Sequence, residues 1–301
     1  MNDELNEQIS HLKSEINSLK TAQAARTSPW YRNASVVLSL VALMFSFGTT
    51  FVSYKRANDQ EVLSTKQELR GLLQRLAALP KDNLEATKKY SDDPLSFALV
   101  SGYINNETSL LARQSAAIAR KLPRGTVSPA EYHSIGMALV GVYDLGSAKE
   151  FYELALSSAQ DLKDFNTEIG AQRGIASLYF MTGAPEKGRA EFEKASTIFD
   201  RYPGYDQNTK AYTQVPTELT WAQAEKYMGS SSLAGNHLDN AEKYTNELSA
   251  SPIKDTLVQQ VAQVKLQILE GKSLASPIRP QGPGATSLQT PTPLPSARPK
   301  R

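Results

Sequence analysis

From Asn33 to Tyr54 the chain reads NASVVLSLVALMFSFGTTFVSY, 22 residues without a charge. Coiled as a helix, such a stretch rises about 33 Å, enough to cross a hydrocarbon layer of about 30 Å. The spacing therefore predicts one transmembrane helix over 33–54. Trp30 and Tyr31 on one side and Tyr54 on the other suit the headgroup level, and Arg32, Lys55 and Arg56 can reach outward to it. A core helix seldom runs this far without a charge. A cleavable signal peptide would start earlier, be shorter, and end on a small-x-small site.

On the N-terminal side, Leu5, Ile9, Leu12, Ile16 and Leu19 alternate steps of four and three. Ile at a and Leu at d favour a parallel two-stranded coiled coil, so residues 1–32 read as a coiled-coil-like leader and the chain as a homodimer or higher oligomer. Tethering two such helices to one bilayer raises their effective concentration. A second seam, Val62, Thr65, Leu69, Leu72, Leu76 and Leu79, predicts a helical stalk over 55–80 that is also able to pair. Pro80 lacks a backbone donor and is expected to end it at a hinge.

Beyond Asp93 the apolar positions recur with a helical period and no strand alternation is present. Asp93-Pro94, Ser128-Pro129 and Ser251-Pro252 each supply a capping side chain followed by proline at the first helical position. Residues 95–104 and 107–122 read as two helices separated by Asn105-Asn106. An internal repeat then appears. Ile135, Gly136, Leu139, Ala148, Tyr152 and Ala155 are matched 40 residues on by Ile175, Ala176, Tyr179, Gly188, Phe192 and Ala195. The small residues let two helices approach, and the larger ones fill the space between units. A third, degenerate unit spans 216–250, with Trp221 and Met228 on its first helix and Leu238, Ala241, Tyr244 and Leu248 on its second. It carries Glu225 at the small position and extra residues, Ser230 to Leu233, in its turn. A last helix with Leu257, Val261, Val264, Ile268 and Leu269 suits an end cap.

Within each unit this spacing resembles the tetratricopeptide repeat, most closely through Ile175, Ala176, Tyr179, Gly183, Gly188, Phe192 and Ala195. Tyr132 stands where that family usually has Trp. The resemblance covers about 130–200 and implies an all-α fold, an α-solenoid of helical hairpins over 81–274. A 40-residue period exceeds the family's 34, so a longer link is expected around Leu162 to Thr167. The resemblance also implies a groove along the first helices that binds a protein segment, presenting His133, Met137, Arg173, Ser177, Gln223 and Lys226. The family's carboxylate-clamp positions fall on Ala130, Ser134, Gly170, Gly174, Leu219 and Gln223. Lys and Asn are missing there, so a chaperone-tail ligand is not expected.

Charge and composition narrow the function classes. Formal net charge is +2 over 301 residues. Residues 1–32 carry four basic and four acidic side chains, 55–276 carry 25 and 27, and 277–301 four and none. No basic field points to nucleic acid. Without cysteine, disulfides and thiolate chemistry are excluded. Seven prolines in 277–301 and the lost periodicity predict a disordered, proline-rich tail from 275. No nucleophile elbow, phosphate loop, dinucleotide fingerprint or zinc motif is present. His11, His133 and His237 are mutually remote; His133 reads as a groove residue and His237 as a solvated turn residue. Glu186, Glu191 and Glu193 read as a solvated helix face. No catalytic residue, metal or cofactor is expected.

Two functions fit. One is a membrane-anchored protein–protein interaction scaffold; the other is an accessory or regulatory subunit recruited through its leader and span. An enzyme without a recognisable motif stands third. Flanking basic residues, Lys20, Arg26 and Arg32 against Lys55, Arg56, Lys66 and Arg70, do not fix orientation, and Lys55-Arg56 alone favours a cytoplasmic domain. A short polar leader before a single span points instead to a bacterial inner membrane with the C-terminal domain exported.

Overall fold

The structure, a computed structural model, describes residues 2–26 and 34–269. Trp30, Tyr31, Arg32 and Asn33 and the expected tail over 275–301 lie outside the described residues, as does the side chain of Leu5. Every element among the described residues is helical. Met1–Leu63 and Ser64–Arg301 form separate compact units.

The first unit holds α1 (Asn2–Arg26) and the start of α2 (Ala34–Lys89). In α1 the seam positions Ile9, Leu12, Ile16 and Leu19 are all exposed, 47–65%. The heptad pattern forms a helix. In α2, Leu38, Phe45, Phe47 and Phe51 are each exposed by about two thirds or more. The helix is long and apolar enough to cross a membrane. The Thr49 and Thr50 hydroxyls donate to the Phe45 and Ser46 carbonyls at 2.9 and 2.8 Å, so they carry no unmet hydrogen bond into an apolar medium.

The second unit begins on the same helix. Pro80 does not end it: α2 runs on to Lys89. A proline inside a helix costs about 3 kcal/mol, and here burial of Leu69, Leu79 and Ala86 within the unit offsets it. The same burial changes the second seam. Leu69 and Leu79 are already enclosed, so that face is not free to pair with another copy. Arg70 pairs with Glu131 and Arg75 with Glu107, holding α2 to the helices over Pro129–Gly141 and Pro94–Lys121, while Arg75 also pairs with Asp82 within α2.

The helix α3 (Pro94–Lys121) is continuous through Asn105 and Asn106, not a pair. Their poor propensity costs about 0.7 kcal/mol each or less, and the buried run Leu111, Ala112, Ala116, Ala119 outweighs it. Then follow α4 (Pro129–Gly141), α5 (Leu145–Leu162), α6 (Phe165–Met181), α7 (Pro185–Thr197), a 3-10 turn (Ile198–Arg201), α8 (Gln207–Tyr227), α9 (Ser231–Glu247) and α10 (Pro252–Leu269). The proline starts form as the sequence implies. Asp93 accepts from the Ser96 N–H, and Ser128 and Glu131 form a reciprocal capping box. Along α10, Leu257, Val261, Val264 and Ile268 close the core of α8 and α9.

Helices pack as α4 on α5, α6 on α7 and α8 on α9, with α6 bridging α4 and α8. Each hairpin closes through the same three-residue link. Its middle residue is left-handed: Tyr143 (φ 58°), Gly183 (φ 77°) and Gly229 (φ 81°). The next N–H, of Asp144, Ala184 and Ser230, donates to the carbonyl of Leu139, Tyr179 and Glu225 at 3.0, 2.8 and 2.9 Å. This common link fixes the register, and it corrects the sequence alignment of the third hairpin. Glu225 falls at the position of Tyr179, and Ala222 at the small position of Gly136 and Ala176. Ala234, Leu238 and Ala241 correspond to Gly188, Phe192 and Ala195, and all are buried.

Two expected insertions dissolve as well. Ser231, Ser232 and Leu233 belong to α9, not to its turn. The link at 162–167 is short, because Lys163 turns left-handed (φ 57°) and Asp164 caps α6. The extra residues of the 40-residue period lengthen α5 and α6, of 18 and 17 residues.

Candidate functional site

Because α4, α6 and α8 lie side by side, their outward positions share one face. On α4, His133 reaches across to α6, where the Cβ that Gly170 lacks would lie 3.1 Å from its Nε2. Between them rises a side chain from the layer behind. Tyr152 of α5 threads its ring between α4 and α6 because residues 136 and 174 carry no side chain. A Cβ at Gly136 would lie 2.8 Å from Tyr152 Cδ1, and one at Gly174 2.6 Å from its Cζ. The ring is 4% exposed and sits 5.5 Å from the His133 imidazole. The Cζ end of the ring lies against Gly174, and the phenol feels the charge of Arg173.

The electrostatics of this group are unusual for a helix surface. Burial pushes the Tyr152 phenol up to about 12, against the pull of Arg173. Burial likewise pushes the Arg173 guanidinium down, opposed only by Tyr152. Burial and then the Arg173 charge hold the His133 imidazole below its ordinary value, with the Gly170 backbone acting the other way, so His133 is neutral at neutral pH. Among the described residues no carboxylate pairs with Arg173.

The six groove residues read from sequence thus divide. His133 and Arg173 come together, joined by Tyr152. Ser177 sits on the same face of α6 but spends its hydroxyl on the Arg173 carbonyl, 3.0 Å away. Gln223 stands at the register of Met137 and Ser177, and Lys226 follows it by less than a turn; both are half-buried. Met137, 56% exposed, instead lines a cleft of ≈ 550 Å³ between α2, α3 and α4, with Leu73, Leu76, Leu79, Pro80 and Ile104.

Behind the face of α8 lies a polar cluster that the sequence did not disclose. Phe180, Phe192, Trp221 and His237 form a column, with Phe192 stacked on Trp221 at 5.2 Å and Trp221 on His237 at 3.9 Å. His237 is therefore not solvated. It is 14% exposed and its Nδ1 lies 2.7 Å from Glu218 Oε2. Glu225, fully enclosed, receives Arg189 through two bonds of 2.7 and 2.8 Å and the Trp221 indole N–H at 3.2 Å. Burial alone would raise the Glu225 carboxyl; Arg189 and Trp221 instead hold it below the usual range. A second enclosed acid, Glu168, accepts from Gln160, Arg201 and Tyr202. Glu191 also departs from the expected solvated face, being engaged by Lys194 and Gln172, whereas Glu186 is exposed. Glu168, Glu191, Glu218 and Glu225 are tied into structural pairs, an arrangement that fixes helices.

A signal for Glu225 was present, a Trp and a Glu four apart on one helix face. Its partner Arg189 lies 36 residues away on α7, and only the packing of α8 against α7 brings it near. Tyr152 was visible as a packing aromatic; that its ring lodges between α4 and α6 depends on glycines 136 and 174 together. The chain matches no family model, no curated protein and no solved structure.

Proposed function

We propose that the chain is a single-pass membrane protein whose tetratricopeptide-like hairpins hold a protein segment in the groove along α4, α6 and α8. The observation that carries it is the His133–Tyr152–Arg173 group. These polar side chains gather on one outward face, and among the described residues no carboxylate pairs with Arg173, which leaves a cation on that face for a ligand to meet. The common hairpin link and the buried small-residue positions favour a repeat array, which buries its core between neighbours and offers its first helices for binding. The uncharged, exposed stretch of α2 is the anchor, in a bacterial inner membrane with the hairpins exported.

A photoreactive residue placed at 177 or 223 in cells tests the groove. It is expected to crosslink a protein partner that Arg173→Gln releases. Protease added to intact spheroplasts is expected to digest 64–269; protection until the membrane is permeabilised reverses the orientation. A second reading has its own observation, the exposed Ile9, Leu12, Ile16 and Leu19 of α1. Crosslinks to another protein only from positions 9 and 16, with none from the groove, establish an accessory subunit recruited through the leader.

A further inference from the structure

We propose that the cleft between α2, α3 and α4 is a binding site for a small uncharged molecule with an apolar body and a hydroxyl or amide group. The cleft takes no lining residue from α5 to α10, so this site stands apart from the groove reading above.

Size and charge set the class of ligand. The cleft measures ≈ 550 Å³, within the range of about 300–1,000 Å³ that small-molecule sites occupy. Leu73, Leu76, Ile104 and Met137 give it apolar walls, and among the described residues no acid, lysine, arginine or histidine lines it. The ions next to it along the chain, Arg75, Asp82 and Glu107, are paired with one another at 2.7 Å. An ionised ligand would lose its water there and meet no opposite charge. A neutral ligand meets no such penalty.

Hydrogen bonding sets the functional group. Pro80 brings no N–H to the Leu76 carbonyl one turn earlier, and both residues line the cleft. The Thr108 and Ser134 hydroxyls donate to the Ile104 and Ala130 carbonyls at 2.7 and 2.8 Å, so what each still offers is an acceptor. The cleft is thus rich in acceptors, and a ligand that carries an O–H or N–H suits it better than an ether or ester. Asn83 and Asn105 add side-chain amides, which both donate and accept. A separate observation comes from α3, where the Ser101 hydroxyl is buried without a hydrogen-bond partner. Ser101 stands three, four and seven residues before Ile104, Asn105 and Thr108, on the same face of the helix. Buried hydroxyls are seldom left unmatched, and a ligand's polar group beside Asn105 supplies the partner.

The chain has no cysteine, so Met137→Cys places a unique thiol at the cleft. Leu162→Cys, at a residue 68% exposed on α5, is the control. Each full-length chain in nanodiscs is equilibrated with a matched series of disulfide fragments that share a phenylalkyl body and end in hydroxyl, amide, methyl, carboxylate or ammonium. Intact mass gives the labelled fraction as reductant is raised. Relative to the control, the Met137→Cys chain should hold hydroxyl- and amide-ended fragments against about tenfold more reductant than the charged ones. It should prefer them to the methyl-ended fragment by about threefold or more. Asn83→Leu with Asn105→Leu should erase the second preference and leave the first. Ala77→Phe, at an exposed lining position, should fill the cleft and remove both. Repeating the assay in discs that contain dioleoylglycerol separates the sources: lost labelling makes the ligand a bilayer lipid, unchanged labelling a water-borne molecule. Equal retention at both cysteines, or charged fragments held best, overturns the site. Methyl-ended fragments held best make the cleft a socket for a partner's apolar side chain and overturn it equally.

Discussion

Replacing Arg189 with Met leaves the Glu225 carboxylate enclosed, with only the Trp221 indole N–H to receive. Breaking a buried pair from one side costs about 3–5 kcal/mol. Arg189 is 24% exposed, so water reaches the gap and the low end, about 3 kcal/mol, applies. For a folded region of this size 1 kcal/mol moves the midpoint by about 2–4 °C, so a fall of about 6–12 °C is expected at pH 8. The readout is Trp221 fluorescence during thermal melting in a Trp30→Phe background, since the chain has two tryptophans. The pH dependence is more specific. In the wild type, Arg189 holds the folded-state carboxyl below its unfolded value of about 4.3, so its stabilisation is present above that value and fades as pH falls through the lower folded one. In the variant, burial is opposed chiefly by the Trp221 N–H and the folded value rises. Its penalty is then full above the raised value and relieved as acid protonates the group. The gap between the two proteins should therefore narrow from pH 8 to pH 5. Substituting both residues with Met should recover most of the loss, because an apolar pair leaves no charge behind. A gap below about 3 °C at pH 8, or one that widens in acid, would refute the reasoning.

Gly174→Ala sets a methyl 2.6 Å from the Tyr152 ring; overpacking of about 1–3 kcal/mol should lower the melting temperature, and Gly146→Ala, with open space around it, should not. Phe192→Ala removes a fully enclosed ring touching Phe180 and Trp221, at a cost of about 3–5 kcal/mol, and an unchanged melting curve would break the assigned core. Ile9→Asp with Ile16→Asp should shift the full chain in nanodiscs from dimer toward monomer by mass measurement; a wild type that is monomeric at all concentrations removes self-pairing from α1.

Local signals carried most of the helix starts. Asp93, Ser128 and Ser251 stand directly before proline, and capping needs only neighbours in sequence. The apolar run of 33–54 was equally plain, since 22 uncharged residues state their solvent by themselves. Errors gathered where a distant contact outweighs a local preference. Pro80 and Asn105-Asn106 disfavour helix, but burial of Leu79 and of the Leu111–Ala119 face overrides them. The third hairpin was aligned three residues out because Trp221 resembled the family's leading aromatic, whereas the link at Gly229 sets the true register. His237 looked solvated because nothing near it in sequence covers it; Trp221 and Glu218, 16 and 19 residues earlier, do so across the hairpin. Of the candidate groove, His133 and Arg173 were legible from the 40-residue spacing, while Tyr152 needed three helices to be placed at once.

The column from Phe180 through Phe192 and Trp221 to His237 takes one ring from each of α6, α7, α8 and α9. No one of these helices can separate without unstacking a neighbour's ring, so their amides should exchange with solvent deuterium together, as one cooperative unit. By contrast α3 leaves Leu95, Leu99, Tyr103 and Leu110 exposed and borders the open cleft against α2 and α4. Its amides should exchange first, so that the chain loosens at one end of its folded region while the four-helix unit stays closed.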